Sequence, residues 1–197
     1  MAIEHVDIDV QPGELLALLG PSGSGKTTFL RLIAGLEAPT AGRILFGEED
    51  ATKLAVRDRR VGFVFQNYAL FRHLTVAENT RIMHPALKGF GWKQRAAKLI
   101  KDKLDEILPG HGISPGDTVS NLTLGQRQMV EIARAFTVTD APLHLVILDE
   151  PTSSLDASTA KQLLEFVRRE VARGRSVILI SHLLGEILEY SDRVVVM

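Results

Sequence analysis

The sequence contains no cysteine, and this absence removes several classes of site at once. Without thiols there is no disulfide framework, no cysteine-ligated zinc ribbon and no thiolate nucleophile. The sequence also lacks an N-terminal signal pattern and any apolar run close to the roughly 18 residues that a membrane-spanning helix requires. We therefore expect any association with a membrane to come through a partner protein.

An excess of charge of either sign is missing too. Lys and Arg number 23 against 24 Asp and Glu, a formal net charge of -1, so no basic excess points to nucleic acid as a partner. The apolar fraction of 45% and the charged fraction of 24% are those of an ordinary globular domain. At 197 residues the chain is long enough to bury one large core, and we expect a single domain over residues 1–197.

Short apolar runs alternate with helical patterns along the chain. The runs at 14–20, 61–66, 143–150 and 176–181 are too short and too apolar for surface strands, and they predict a mainly parallel sheet covered by helices. Residues 26–36 and 157–174 read as covering helices that stop at Gly35 and Gly174. A charged amphipathic helix at 92–108 and a Gly/Pro-rich stretch predict an inserted helical arm at 80–136, within an α/β core at 1–79 and 137–197.

The segment "GPSGSGKT" follows the first apolar run and opens a helix, as a phosphate-binding loop requires. Its glycines let backbone N–H groups surround a phosphate, and the helix dipole favours the anion. Lys26 is placed to reach the β- and γ-phosphates, and Thr27 to offer its hydroxyl to Mg²⁺. This loop predicts a nucleoside triphosphate ligand. Its predicted binding residues are Gly20, Pro21, Ser22, Gly23, Ser24, Gly25, Lys26, Thr27 and Thr28.

A pair of acids ends the apolar run "LHLVILDE". Asp149 and Glu150 come at the carboxyl end of a strand, where ligands of α/β sheets bind. Asp149 is suited to hold Mg²⁺, and Glu150 to orient and deprotonate an attacking water. Two acids that merely end a strand before Pro151 are an equal alternative on this segment alone, and the phosphate loop disfavours it.

The segment "NLTLGQRQMVEIARAF" reads as the start of an amphipathic helix. Thr123 can cap it and Gln126 has the spacing of a capping box. The apolar stripe at helical period comprises Met129, Ile132, Ala133 and Phe136. The stripe does not explain why the helix begins with an apolar Leu124 and a bare Gly125.

Taken together, these segments resemble the nucleotide-binding ATPase subunit of ABC (ATP-binding cassette) transporters. Six motifs occur in family order: "GPSGSGKT" as Walker A, "VFQ" ending at Gln66 as the Q-loop, "LTLGQ" as the signature loop, "LVILDE" as Walker B, "SSLD" as the D-loop, and "ISH" ending at His182 as the switch histidine. The resemblance implies a P-loop NTPase of α/β class with a helical arm, binding ATP and Mg²⁺.

The resemblance also assigns roles. In the family two cassettes pack head to tail, so Thr123, Gly125 and Gln126 of one chain would close over the ATP held by the other. Gln66 would reach Mg²⁺ and the attacking water, making Thr27, Gln66 and Asp149 the expected metal site, and His182 would contact the γ-phosphate and support Glu150. Permease subunits would hold the protein peripherally at the cytoplasmic face of the membrane, and no nucleic acid is expected.

Three departures from the family pattern bear on this expectation. Leu124 stands where a glycine is common, although sugar-importer ATPases often carry an apolar residue there. No aromatic residue precedes Phe29, so the adenine-stacking residue of the family is missing, and the chain looks trimmed at both ends. Residues up to about 79 resemble sulfate-type importer ATPases and those from about 85 resemble sugar-importer ATPases, which suggests a mosaic or chimera. A non-transport ABC ATPase and a nucleotide-binding fragment with little turnover are the alternatives.

Overall fold

The computed structural model describes residues 6–66, 69–139 and 141–197. The first five residues, Asn67, Tyr68 and Asp140 lie outside the described residues, and so do the parts of the predicted core and of the sulfate-type stretch that fall on them. The strands are β1 (Leu15–Leu19), β2 (Leu45–Phe46), β3 (Glu49–Asp50), β4 (Val61–Val64), β5 (Leu145–Asp149), β6 (Ser176–Ile180) and β7 (Arg193–Val196). The helices are α1 (Lys26–Ala34), α2 (Val76–Met83), α3 (Trp92–Ile107), α4 (Leu124–Phe136), α5 (Ala157–Ala172) and α6 (Leu184–Tyr190).

The chain divides into two units. The first comprises the described residues of Met1–Phe63, Pro142–Glu150 and Arg168–Met197, and the second those of Val64–Ala141 and Pro151–Val167. The predicted arm at 80–136 falls inside the second unit. Among the described residues, no helix is both long and apolar enough to cross a membrane.

A five-stranded sheet in the order β4-β5-β6-β1-β7 forms the core of the first unit. β1 pairs in parallel with β6 and β7, and β5 pairs in parallel with β6, which confirms the predicted parallel sheet. Side chains on both faces of the central strands are buried, as the continuous apolar runs predict. Because these strands are parallel, the loops after Leu19, Asp149 and Ile180 meet at one edge of the sheet, where the candidate site lies.

The buried Arg59 holds the C-terminal end of α1 in place. Its guanidinium donates hydrogen bonds to the carbonyl oxygens of Leu32 (2.6 Å) and Ile33 (2.8 Å), which the end of the helix leaves open. It also donates to the Thr52 carbonyl oxygen at 2.9 Å. Gly35 ends α1 with φ of 79°, and a Cβ there would lie 2.6 Å from the Arg59 Nε atom. The predicted stop at Gly35 is confirmed, and this contact gives its physical reason.

The second unit is helical, with α2 and α4 both packed against α3. Phe136 of α4 and Phe166 of α5 form an edge-to-face pair with ring centroids 5.0 Å apart. The sequence predicts a single apolar stripe on α4, but every residue from 128 to 136 is buried. From residue 128 onward the helix is therefore enclosed on all sides, and Glu131 and Arg134 are buried with the apolar residues.

Candidate nucleotide-binding site

The loop between β1 and α1 depends on glycine for its shape. Gly23 and Gly25 have φ of 81° and 101°, in the left-handed region that only glycine enters without strain. A Cβ on Gly20 would overlap the Met197 carbonyl oxygen and lie 3.0 Å from the Ser24 Oγ atom. Pro21, Ser22 and Gly23 are exposed at the tip of the loop.

Lys26 points its ammonium group into this loop. The Nζ atom donates hydrogen bonds to the carbonyl oxygens of Gly20 (2.7 Å) and Pro21 (2.9 Å) and to the Ser24 hydroxyl (3.2 Å). The residue is only 8% exposed although lysine is almost never buried. The charge is therefore held in the interior of the loop, directly beneath its exposed tip.

The N-terminus of α1 lacks the cap that α2 and α4 have. Thr75 and Thr123 each cap their helix within a complete capping box, whereas Gly25 makes no side-chain cap hydrogen bond to α1. Backbone N–H groups of the first turn are thus left to an external acceptor, and a helix N-terminus favours an anion. Thr27 is exposed in this turn and Thr28 is half-buried.

Asp149, the last residue of β5, is 3% exposed. Burial raises the pKa of its carboxyl, the neighbouring Glu150 raises it further, and Arg31, Lys26 and His182 oppose the shift. A cation bound here would compensate both the lost hydration and the repulsion between the two carboxylates. No group of three or more His, Asp or Glu in the described ranges could hold a metal alone. A buried carboxylate and a nearby hydroxyl fit Mg²⁺, which usually takes one or two carboxylates and completes its shell with water and phosphate oxygens.

Glu150 follows Asp149 in a conformation that is unusual for a bulky residue. Its φ is 53°, and its backbone N–H donates to the Ile180 carbonyl oxygen at 2.9 Å. The Glu150 Oε1 atom lies 2.5 Å from the His182 Nε2 atom. Non-glycine residues at positive φ concentrate at functional sites, where the surrounding structure compensates the strain. This arrangement suits the Glu150 carboxylate to act as a general base, with the His182 imidazole beside it.

The remaining predicted site residues belong to the second unit. Gln66 is exposed and follows the end of β4 by two residues. At the start of α4, the Gln126 N–H donates to Thr123 Oγ1 at 3.2 Å and the Thr123 N–H donates to Gln126 Oε1 at 3.0 Å. The predicted capping box is confirmed. Leu124, between them in the turn, is 59% exposed.

Gly125 has a packing role within its own unit. A Cβ at this position would lie 3.1 Å from the Ser154 carbonyl oxygen and 3.6 Å from Leu155 Cδ2. The turn therefore approaches the D-loop segment more closely than a larger residue allows. This contact is one reason for the bare glycine, independent of any second chain.

Sequence reasoning missed three charged residues. Arg31 is one of the cations that oppose the raised pKa of Asp149, and Glu131 and Arg134 form a buried pair on α4. Helical periodicity gives no signal for the pair, because charged residues beside an apolar stripe are usually solvated. Two opposite charges three positions apart on a helix can pair, and that spacing was the one usable indication.

The sequence matches a known protein family and curated relatives. Residues 3–153 match the ABC transporter family. The chain is 46% identical over 206 residues to the sulfate/thiosulfate import ATP-binding protein CysA 2 of Rhizobium meliloti, covering 100% of this chain and 53% of that protein. It is 45% identical over 205 residues to CysA of Mesorhizobium japonicum, covering 100% and 56%. The chain thus spans about half the length of the curated relatives it matches. The mosaic origin stays a prediction.

Two solved structures share the fold. The dimeric structure of MJ0796, described as a bacterial ABC transporter cassette, superimposes with a TM-score of 0.83 at 27% identity, covering 98% of this chain and 84% of that one. A dimeric post-hydrolysis state of the same cassette bound to ADP and Pi gives a TM-score of 0.80 with the same identity and coverage. Both solved structures cover 98% of this chain, and their similarity confirms the predicted α/β class.

Proposed function

Since this chain belongs to the ABC transporter family, we propose that it binds and hydrolyses ATP to energise the import of a solute across a membrane. The observation that carries the proposal is the contact between Glu150 and His182 beside the buried Asp149. A glutamate at positive φ whose carboxylate contacts an imidazole, next to a buried acid and a phosphate loop, fits ATP hydrolysis better than nucleotide binding without turnover.

The phosphate loop binds the triphosphate. Backbone N–H groups of residues 20–28 other than Pro21, including those at the uncapped start of α1, surround the phosphate oxygens. Lys26 exchanges its hydrogen bonds with loop carbonyls for bonds to the β- and γ-phosphates. Thr27, Asp149 and Gln66 would hold Mg²⁺. When bound, this ion neutralises charge on the phosphate oxygens.

Glu150 orients the attacking water and accepts its proton. His182 supports this carboxylate through the ring nitrogen that lies 2.5 Å from it. Because the His182 side chain is 63% exposed, its ring has room to turn toward a γ-phosphate. Gln66 contributes a polar contact to the same water. Each of these roles requires nucleotide in the site.

We infer that a second cassette completes the site. Thr123, Gly125 and Gln126 would face the γ-phosphate bound by the partner cassette, an arrangement supported by the dimeric state of the similar MJ0796 cassette. Permease subunits in the membrane are the other partners, which places the chain peripherally at the cytoplasmic face. The relatives' names make sulfate and thiosulfate the first solutes to test.

Measurement of phosphate release by the purified chain, with and without Mg²⁺, tests the proposal. We expect Mg²⁺-dependent release that the Glu150→Gln variant lacks. A chain that binds ATP but releases no phosphate, at concentrations where it pairs, would instead be a nucleotide-binding fragment without turnover. Solute uptake in cells that carry the chain with its permease subunits tests the direction and the substrate.

A further inference from the structure

Two charged side chains are buried inside the second unit. Glu131 is 0% exposed and Arg134 is 3% exposed, and the Arg134 Nη2 atom lies 3.8 Å from Glu131 Oε1. Both come from α4, the helix that begins with the "LTLGQ" turn. Burying an ion pair is costly unless further hydrogen bonds satisfy its atoms. The hydrogen-bond partners of Glu131 and Arg134 therefore show which part of the chain this buried pair holds in place.

The partners are backbone groups close to Gln66. The Ala69 N–H donates to Glu131 at 3.1 Å (Oε1) and 2.9 Å (Oε2), and Arg134 donates to the Ala69 carbonyl oxygen at 3.1 Å. The Phe65 N–H also donates to the Glu131 carboxylate. One carboxylate thus accepts hydrogen bonds from amides on both sides of Gln66, one residue before it and three residues after it.

The chain beyond Ala69 is held as well. The Phe71 N–H donates to Asn79 Oδ1 at 2.8 Å, and Asn79 Nδ2 donates to the Phe71 carbonyl oxygen at 3.0 Å. Arg134 donates in turn to the Asn79 carbonyl oxygen at 3.5 Å. Helices α2 and α4 together therefore anchor the backbone at Ala69 and Phe71, while the Gln66 side chain itself is exposed.

We propose that Glu131 is a positioning residue that acts on hydrolysis through Gln66, by fixing the Phe65 and Ala69 amides to the helix of the "LTLGQ" turn. The inference rests on the proposed ATPase function and deepens it. Gly125 and Glu131 lie on the same helix, less than two turns apart. A shift of that helix therefore moves the anchors of Gln66, which couples the two motifs mechanically.

Glu131→Gln tests the anchoring directly. The variant keeps the size of the side chain but replaces one acceptor oxygen by an NH₂ donor, which cannot accept from a backbone N–H. We expect hydrogen exchange at the Phe65 and Ala69 amides to become about tenfold faster, the loss of roughly one hydrogen bond. Exchange in β5 should not change. Unchanged exchange at both amides would overturn the proposal, and Glu131→Asp, shorter by one methylene, gives the same readout should the glutamine variant fail to fold.

A double-mutant cycle with Gln66→Ala tests the coupling to hydrolysis. With Gln66 present, Glu131→Gln should lower kcat between about tenfold and a hundredfold, as misplacement of a polar group does, and leave the KM for ATP within twofold. In the Gln66→Ala background the same change should lower kcat less than twofold. Equal losses in both backgrounds would show a structural effect and overturn the proposal.

The exposed Glu165, whose Oε1 atom lies 4.0 Å from the Lys161 Nζ atom, gives a matched control. Glu165→Gln should change neither the exchange rates nor kcat. A wild-type chain that fails to hydrolyse ATP would contradict the proposed function, and the exchange measurement then decides the role of Glu131 by itself.

Discussion

The Nε2 atom of His182 lies 2.5 Å from the Oε1 atom of Glu150. The two residues follow the carboxyl ends of β5 and β6, which are paired in parallel with Asp149 opposite Ile180. The Glu150 N–H donates to the Ile180 carbonyl oxygen at 2.9 Å, so the pairing of the two strands extends into the site. The sheet itself therefore determines this contact.

Glu150→Gln should lower kcat by at least about a hundredfold, the scale on which a general base acts, while ATP still binds. The amide keeps the shape of the side chain but cannot take a proton from water. Phosphate release and ATP titration measure the two effects separately. The exposed Glu189 supplies a control, since Glu189→Gln should leave both unchanged. Turnover near the wild-type rate in Glu150→Gln would remove Glu150 from the reaction.

Lys26→Ala should abolish most ATP binding, because Lys26 is the only side-chain cation in the phosphate loop. Its ammonium also donates hydrogen bonds to the carbonyl oxygens of Gly20 and Pro21, so the substitution could loosen the loop. The melting temperatures of variant and wild type, compared without nucleotide, separate this effect from the loss of binding. Titration with ATP measures the affinity, and Lys53→Ala at an exposed position is the matched control. Wild-type affinity in Lys26→Ala would contradict the assignment of the phosphate loop.

Asp149 gives a prediction in pH. Because burial and Glu150 raise the pKa of Asp149 in the folded chain, the folded state binds this proton more tightly than the unfolded state. Stability of the nucleotide-free chain is therefore lost as pH rises from about 4, the ordinary aspartate pKa, through the raised value. Asp149→Asn should stabilise that chain by about 1 kcal/mol at pH 7, and by less at pH 4.

Thermal melts between pH 4 and 8 measure this difference. The same variant should lose the stabilisation that Mg²⁺ and ATP together give the wild type. A variant that is less stable than the wild type at pH 7 would show that the ionised Asp149 stabilises the folded chain through its contacts instead of destabilising it.

The sequence predicted those parts of the fold that depend on continuous apolar runs. β1, β5 and β6 are buried on both faces, so their composition alone distinguishes them from surface strands. The two-residue strands β2 and β3 and the alternating exposure of β7 give weak patterns, and they were not predicted.

The site shows the same division. Lys26 and Glu150 could be proposed as site residues because each stands at the junction of a strand and a local motif. The anchoring of Ala69 by Glu131 joins residues 62 positions apart, so no local pattern contains it. The close approach of Gly125 to the Ser154 carbonyl oxygen is likewise a tertiary contact, and the sequence could only identify the glycine as unexplained.

The last prediction concerns the "LTLGQ" turn and a second chain. Substitution of Gly125 is a poor test, because a Cβ there meets the Ser154 carbonyl oxygen of the same chain at 3.1 Å. Leu124 avoids this difficulty, since it is 59% exposed at the first position of α4. A carboxylate at a helix N-terminus is favourable, so Leu124→Asp should fold normally.

In the Glu150→Gln background, which should trap ATP between two chains, Leu124→Asp should prevent the dimer. The carboxylate would stand opposite the γ-phosphate bound by the other chain and repel it. Leu124→Asn has nearly the same shape without the charge and should still pair. Sedimentation of the three proteins with and without ATP measures the outcome. A dimer that persists in Leu124→Asp would show that the turn does not face a phosphate, and a Glu150→Gln chain that stays monomeric with ATP would contradict the pairing itself.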